Sequence, residues 1–382
     1  MTDEASLKAD WRKWTAAVFL FGVGFSIYSG VFQNFLRTRL RADELGLGVL
    51  ESLREVPGLL TALTMVTLVA LAESRVAAIG LLVTAVGIGV SGLTASIPQA
   101  VGVAVFWSIG FHLYATMSSP ITLSLAKGQE GGRHLGRMQG IGGLATILGL
   151  ALGAGMSLFV PQSDFEPYFL LGGILIFAAA VLTARLGHHA AGGKRSRLIV
   201  RREYSLFYLL SFLEGCRRQI FAIFASFALI KVYGLGTKQM LALYLINAVI
   251  IAITAPRMGK IIDQKGERGP LIFYAIGLIL VFLGYALSQR VEVLIALFLI
   301  DNVLFSFSVG FTTYLHRIVR PGEMTPCVSM GITMNHIAAV TVPIGGALLW
   351  KASGDYRLPF VAGTILAVGS LFATMRLPRK EI

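Results

Sequence analysis

Twelve apolar runs recur along the chain, at about 14–35, 48–71, 76–95, 100–125, 139–160, 167–186, 205–230, 240–258, 270–288, 293–318, 328–350 and 358–376. Each has roughly the 20 residues needed to cross about 30 Å of hydrocarbon. Backbone in that medium must satisfy its own hydrogen bonds, so repeated runs of this length predict helices. The expected fold class is an all-α integral membrane protein with twelve transmembrane helices. Composition agrees: of 382 residues only 14% are charged and 55% are hydrophobic, where soluble domains carry about 25% charge. The first thirteen residues, MTDEASLKADWRK, mix acids and bases ahead of a run long enough to span, so no cleaved leader is expected.

Lys and Arg set the orientation. They concentrate in the two tails, at Arg75, and within Lys127–Arg137, Arg185–Arg202, Arg257–Arg268 and Arg317–Arg320. With those segments inside, the positive-inside rule is obeyed and both termini are cytoplasmic, as in a bacterial-type inner membrane. The net charge of +13 is spread over loops, so it reads as topology and contact with anionic lipid headgroups, not nucleic-acid binding. The longest inner loop, His188–Glu203, divides the chain six runs plus six. The predicted organisation is a tail (1–13), a first bundle (14–186), a basic linker (187–204), a second bundle (205–376) and a tail (377–382). The halves echo each other at a shift of about 190 residues: Glu73–Ser74–Arg75 falls on Asp263–Gln264–Lys265, as in transporters built from six-span repeats.

A polar stretch between the eighth and ninth runs, GKIIDQKGER (Gly259–Arg268), carries a family pattern. Gly259, Asp263, Gly266 and Arg268 match the loop signature G-x-x-x-D-[RK]-x-G-[RK]-[RK], while Gln264 and Glu267 stand where basic residues are usual. With twelve spans around it, the chain resembles the major facilitator superfamily of transporters. That resemblance implies two pseudo-symmetric six-helix halves and alternating access at a mid-membrane site. It assigns Gly259, Asp263, Gly266 and Arg268 to a cytoplasmic latch. Arg54 and Glu55, two turns into the second run, are expected to form an outer-gate ion pair or a structural one.

Polar residues at membrane depth are the informative ones, because a charge there needs a partner or a wet cavity. The seventh run contains Phe212-Leu213-Glu214-Gly215-Cys216-Arg217-Arg218-Gln219. On a helix Glu214 can reach either arginine, but one carboxylate cannot neutralise two guanidiniums. The remaining anion is Asp301, a lipid phosphate or a substrate, and the guanidinium fork suits carboxylates and phosphates. The resemblance places spans 1, 4, 7 and 10 around the cavity. That brings Gln33, Asn34 and Asn302 to Arg217 and Arg218 as substrate contacts, and Asn335 and His336 of span 11 are expected to join them. Glu214, Asp301 and His112 are the competing proton carriers.

Two further patterns compete. Cys327, Met330 and Met334 share a helix face beside His336, a soft set that selects Cu(I) in copper-importing relatives; the alternative is apolar packing. The glycines of span 5 (Gly140, Gly142, Gly143, Gly149, Gly153, Gly155) predict close helix packing. They are similar to the antiporter signature G-x-x-x-G-P-x-x-G-G without its proline, and Pro343-Ile-Gly345-Gly346 stands in span 11 instead. No nucleotide cradle, zinc framework or G-x-S-x-G is present, so no enzyme and no cofactor is expected. The two cysteines suggest no disulfide framework. The predicted function is a secondary transporter of a small organic anion, proton-coupled and monomeric. The alternatives are a Cu(I) carrier, a drug antiporter, or a membrane receptor or assembly subunit that does not transport.

Overall fold

Hydrocarbon offers a peptide group no partner but another peptide group, and the chain answers with helices. The computed structural model describes residues 2–60, 71–126, 131–187, 201–320 and 323–379, and no strand occurs among them. The helices are α1 (Thr2–Thr38), α2 (Glu44–Leu59), α3 (Glu73–Val90), α4 (Ile97–Leu125), α5 (Gly131–Met156), α6 (Glu166–Ala184) and α7 (Ser205–Gln219). They continue with α8 (Ser226–Lys231), α9 (Thr237–Lys265), α10 (Arg268–Leu287), α11 (Val291–Phe305), α12 (Val309–Ile318), α13 (Met324–Ser353) and α14 (Leu358–Met375). A π turn (Ile220–Ala225) joins α7 to α8, and a 3-10 turn (Ser306–Ser308) joins α11 to α12. The fourteen helices are therefore twelve rods among the described residues, one for each apolar run.

Ten of these rods are long and apolar enough to cross a membrane. The others are α2, whose run continues beyond the described residues, and the α7–α8 rod, whose middle carries Glu214, Arg217 and Arg218. The end of the second run (61–70), Lys127, linker residues 188–200, Pro321 and the last tail residues (380–382) lie outside the described residues. Outward faces are apolar at helical spacing: Ile79, Leu82, Val86 and Val90 of α3 are exposed, while Leu81, Ala85 and Ile88 face inward. That is the pattern of a lipid-facing helix.

The chain forms two compact units. The first comprises residues 1–42, 53–194 and 236–245; the second comprises 43–52, 195–235 and 246–382. Both α2 and α9 thus divide their length between units.

In the first unit α3 packs on α4 and α6, and α1 on α5 and α6. Glycine permits the tightest of these crossings. A Cβ on Gly80 would lie 2.6 Å from the Gly110 carbonyl oxygen, and one on Gly24 the same distance from the Gly172 carbonyl oxygen. Span 5 departs from expectation. Gly140, Gly142, Gly143 and Gly155 face open space, and only Gly149 meets backbone, at Val23 of α1. The glycine contacts that matter are therefore on α1, α3, α4 and α6. The polar start of the chain is helical and docked. Asp10 is buried and accepts from the Gly187 amide at 2.9 Å, Lys13 donates to the Arg185 carbonyl at 2.9 Å, and Trp11 Nε1 donates to the Leu125 carbonyl at 3.1 Å. These bonds tie α1 to the ends of α4 and α6, where free carbonyls need donors.

In the second unit α7 packs on α13 and α14, and α10 on α11 and α14. Gly346 of the Pro343-Ile-Gly345-Gly346 run is a socket for the Phe224 ring, which the π turn presents. At one end Glu44 pairs with Lys231, and Asp43 with Lys351 at 3.1 Å. At the other, Tyr204 donates to Glu323 Oε2 at 2.7 Å and Arg201 Nη2 to Glu323 Oε1 at 2.7 Å, joining the start of α7 to the start of α13.

Two outcomes follow from this packing. Gly110→Val forces α3 and α4 apart and lowers thermal stability in detergent by at least the ~1–3 kcal/mol typical of overpacking. Gly102→Ala, where a Cβ meets nothing, does not lower the melting point. The Tyr204 hydroxyl and then Arg201 hold Glu323 below the ordinary carboxylate range. A lowered pKa adds stability that is complete above the unfolded value and is lost as pH falls through the folded one. Amide exchange over residues 323–330, corrected for intrinsic rates, should therefore rise only at a pH below the ordinary carboxylate range. In Tyr204→Phe the rise should begin at higher pH.

Candidate functional site

The strongest concentration of polar groups inside the second unit is built on α7. Glu214 and Arg217 are one turn apart and share a face. Arg217 Nη2 donates to Glu214 Oε1 at 3.1 Å, and Nη1 donates to Asp301 of α11 at 2.9 Å (Oδ2) and 3.2 Å (Oδ1). Its Nε donates to the Tyr274 hydroxyl of α10 at 3.0 Å, and that hydroxyl donates to Glu214 Oε2 at 2.5 Å. The guanidinium carbon also lies 5.2 Å from the Phe305 ring centre and 5.8 Å from that of Tyr274. Arg217 is 4% exposed and Asp301 3%. All three guanidinium nitrogens are engaged by the protein itself.

Charge is not balanced. Two carboxylates meet one guanidinium, so the cluster carries one negative charge in excess unless it takes up a proton. Arg218 does not correct this. One residue on, it is turned about 100° around the helix and is exposed. The expected pair of arginines facing one anion is therefore not what the fold brings together: Arg217 joins the carboxylates and Arg218 points elsewhere. The π turn that begins three residues after Arg217 inserts an extra residue per turn next to this cluster, a feature frequent at functional sites.

The other expected contacts of the second unit bond locally. Asn302 Nδ2 donates to its own helix at the Phe298 carbonyl, 2.9 Å away. Asn335 Nδ2 does the same with Gly331, at 3.4 Å. The Asn335 backbone also sits where α13 crosses α7: a Cβ on Gly215 would lie 3.1 Å from its Cα. His336, Met330 and Met334 are half-buried. Cys327 is fully buried, its thiol bonded to the Tyr208 hydroxyl, so it is not presented with the two thioethers as an open ligand set.

In the first unit a second cluster forms from residues that the sequence leaves separate. Arg54 pairs with Glu55 at 3.1 Å and stacks over Trp107, 5.5 Å from the ring centre. Ser108 Oγ donates to the Arg54 carbonyl and lies 3.1 Å from His112 Nδ1. His112 Nδ1 is 2.8 Å from the Ser108 carbonyl, an acceptor only, so Nδ1 carries a hydrogen. Asn34 is 1% exposed and Gln33 half-buried, because α1 continues to Thr38; this is no solvated helix end.

Comparison with known proteins places this arrangement. The family model described as Major Facilitator Superfamily matches residues 14–326. The chain belongs to the major facilitator superfamily. No curated protein matches it in sequence. Among solved structures it is similar to the nucleoside transporter NupG (13% identity, 97% of this chain and 99% of that one, TM-score 0.76). It is also similar to a bacterial homologue of the iron transporter ferroportin (14%, 97% and 98%, 0.77) and to the human organic anion transporter MFSD10 (15%, 96% and 99%, 0.69). At these identities the likeness is one of fold. As a superfamily member the protein is a multi-pass membrane transporter of small molecules working by alternating access, and its family and fold are those of a non-enzymatic carrier.

The superfamily loop signature is largely helical rather than a loop. Helix α9 continues to Lys265, so Gly259 and Asp263 lie in its last two turns, where Gly259 faces open space and Asp263 is exposed. The helix stops at Gly266, whose φ of 75° is the left-handed cap that favours glycine. Glu267, one of the two departures from the superfamily pattern, is buried and pairs with Arg317 of α12 at 2.8 Å, while Arg268 starts α10. Removing the cation at the centre of the polar cluster should leave two buried carboxylates unpaired. Arg217→Ala is therefore expected to cost about 3–5 kcal/mol of stability at neutral pH. Part of that should return at acidic pH, where the carboxylates can be protonated; melting curves at two pH values check this.

Proposed function

We propose that the protein is a proton-coupled secondary transporter of a small organic anion, set in a bacterial-type inner membrane with both termini cytoplasmic. One observation carries the reading: a buried guanidinium held by two carboxylates in the middle of the α7–α8 rod. With both carboxylates ionised, each guanidinium nitrogen of Arg217 is engaged and the excess negative charge repels an anion. Protonation of one carboxylate restores neutrality and weakens its hold on one guanidinium nitrogen. That nitrogen can then donate to a carboxylate, phosphate or sulfonate of the substrate. Proton and anion thus favour each other's binding through Arg217, which is what symport requires; by linkage the coupling is reciprocal. The expected latch residues Gly259, Asp263, Gly266 and Arg268, and the Arg54–Glu55 pair, would act in the conformational change rather than in recognition.

The test is the thermal stability of purified protein against carboxylates, phosphates, phosphonates and sulfonates at two pH values. A ligand at 100 times its Kd adds about 2.7 kcal/mol. An anion should raise the melting point, more at the lower pH, and Arg217→Lys should weaken the shift. Stabilisation only by organic cations or Cu(I) would replace the anion reading.

A further inference from the structure

The two carboxylates on Arg217 are not equivalent. Glu214 accepts from Arg217 Nη2 through one oxygen and from the Tyr274 hydroxyl through the other, so both oxygens face donors. A protonated carboxyl would have to turn its own O–H toward one of those donors. Asp301 is held by the single nitrogen Nη1, at 2.9 and 3.2 Å, and gains no hydroxyl donor. Among the described residues its neighbours do not offer one. The Tyr285 hydroxyl of α10 donates to the Leu294 carbonyl at 2.9 Å, and Asn302 is bonded to Phe298. Arg217 and Glu214 of α7 are the charged groups facing it, Tyr274 and Tyr285 of α10 the other titratable ones, and α14 carries no charged side chain.

We infer that Asp301 is the carboxylate that takes the coupling proton, and that Tyr274 is a positioning residue that confines the proton there by keeping Glu214 an acceptor. The inference rests on the proton-linked reading above. The tyrosine hydroxyl can make this choice because it already accepts from Arg217 Nε, which directs its own hydrogen to Glu214. Proton uptake then forms one O–H bond on Asp301 and removes one negative charge. The Nη1 contact loosens, while Glu214, Nη2 and Nε stay in place. Release on the other side reverses the step. Arg217 is thereby held to α7 throughout, and only its arm toward α11 is switched.

Infrared difference spectroscopy of the full-length protein in lipid nanodiscs tests this with the proton itself as ligand, so no substrate need be known. A pH titration reads the carbonyl stretch of each carboxylic acid as it forms. The wild type should show a buried acid band that is lost in Asp301→Asn and kept in Glu214→Gln. In Tyr274→Phe a second acid should appear, so the band grows in two steps. Growth on carboxyl-13C aspartate should shift the band in the wild type but not in Asp301→Glu, which retains the charge should the asparagine variant fail to fold. Loss of the band in Glu214→Gln with retention in Asp301→Asn would overturn the assignment while leaving the proton-linked reading intact. A Tyr274→Phe titration identical to wild type would remove the positioning role. A titration unaltered by every substitution would defeat the proton-linked reading itself.

Discussion

A guanidinium cannot be left bare in hydrocarbon, and the second unit is organised around meeting that demand for Arg217. Its partners come from α7, α10 and α11, and two aromatic rings supply the remaining faces. Burying an ion pair is weak evidence for stability, since well-packed apolar groups often do as well, whereas breaking one is costly. A cluster with one charge too many is less favourable still as a purely structural device. The imbalance makes sense where a proton comes and goes, and transport supplies such a setting.

The scaffold around the cluster divides its work between the rods' middles and their ends. In the middles, glycine removes side chains where backbones cross, at Gly80 with Gly110 and Gly24 with Gly172, so helices meet without a hydrophobic driving force between them. At the ends, where water returns, ion pairs and hydrogen bonds fix the termini. Lys13 and Trp11 bond carbonyls at the ends of α6 and α4, Glu323 joins the starts of α7 and α13, and Glu267 meets Arg317. Where such pairs are exposed they add little individually, but together they set which helix ends stay together. The π turn beside Arg217 interrupts the regular spacing of the α7–α8 rod within a few residues of the cluster and presents Phe224 to its Gly346 socket.

Much of the fold was legible because spanning a membrane is a local property. Hydropathy over about 20 residues reports burial in lipid regardless of what the rest of the chain does, and the twelve rods fall on the twelve apolar runs. The ends were less legible. Amphipathic turns such as Thr2–Lys13 and Gly259–Lys265 look like loops by hydropathy yet are helical, because a helix does not stop where the lipid does. Gly266 was the real punctuation. Span 5 shows the opposite error: a glycine-rich face predicts close packing only if another helix comes to it, and of the six glycines from Gly140 to Gly155 only Gly149 has a position where an added Cβ would meet the backbone of α1.

For the site, helix spacing put Glu214 within reach of either Arg217 or Arg218, and the fold chose Arg217. Asp301, 84 residues away, entered through family architecture. Tyr274 was missed, although it is one of only two hydroxyl-bearing residues in α10 and a polar tip in such a run invites a partner. Sequence alone determined that this chain spans a membrane as a dozen helices and that a buried charge pair lies on the seventh, because periodicity and hydropathy act over a few turns. Tertiary structure alone decided that Arg217 meets two carboxylates while Arg218 is turned away, and that Ser108 links Arg54 to His112. Those outcomes depend on which helices cross and at what rotation, and side-chain packing over long chain separations sets both.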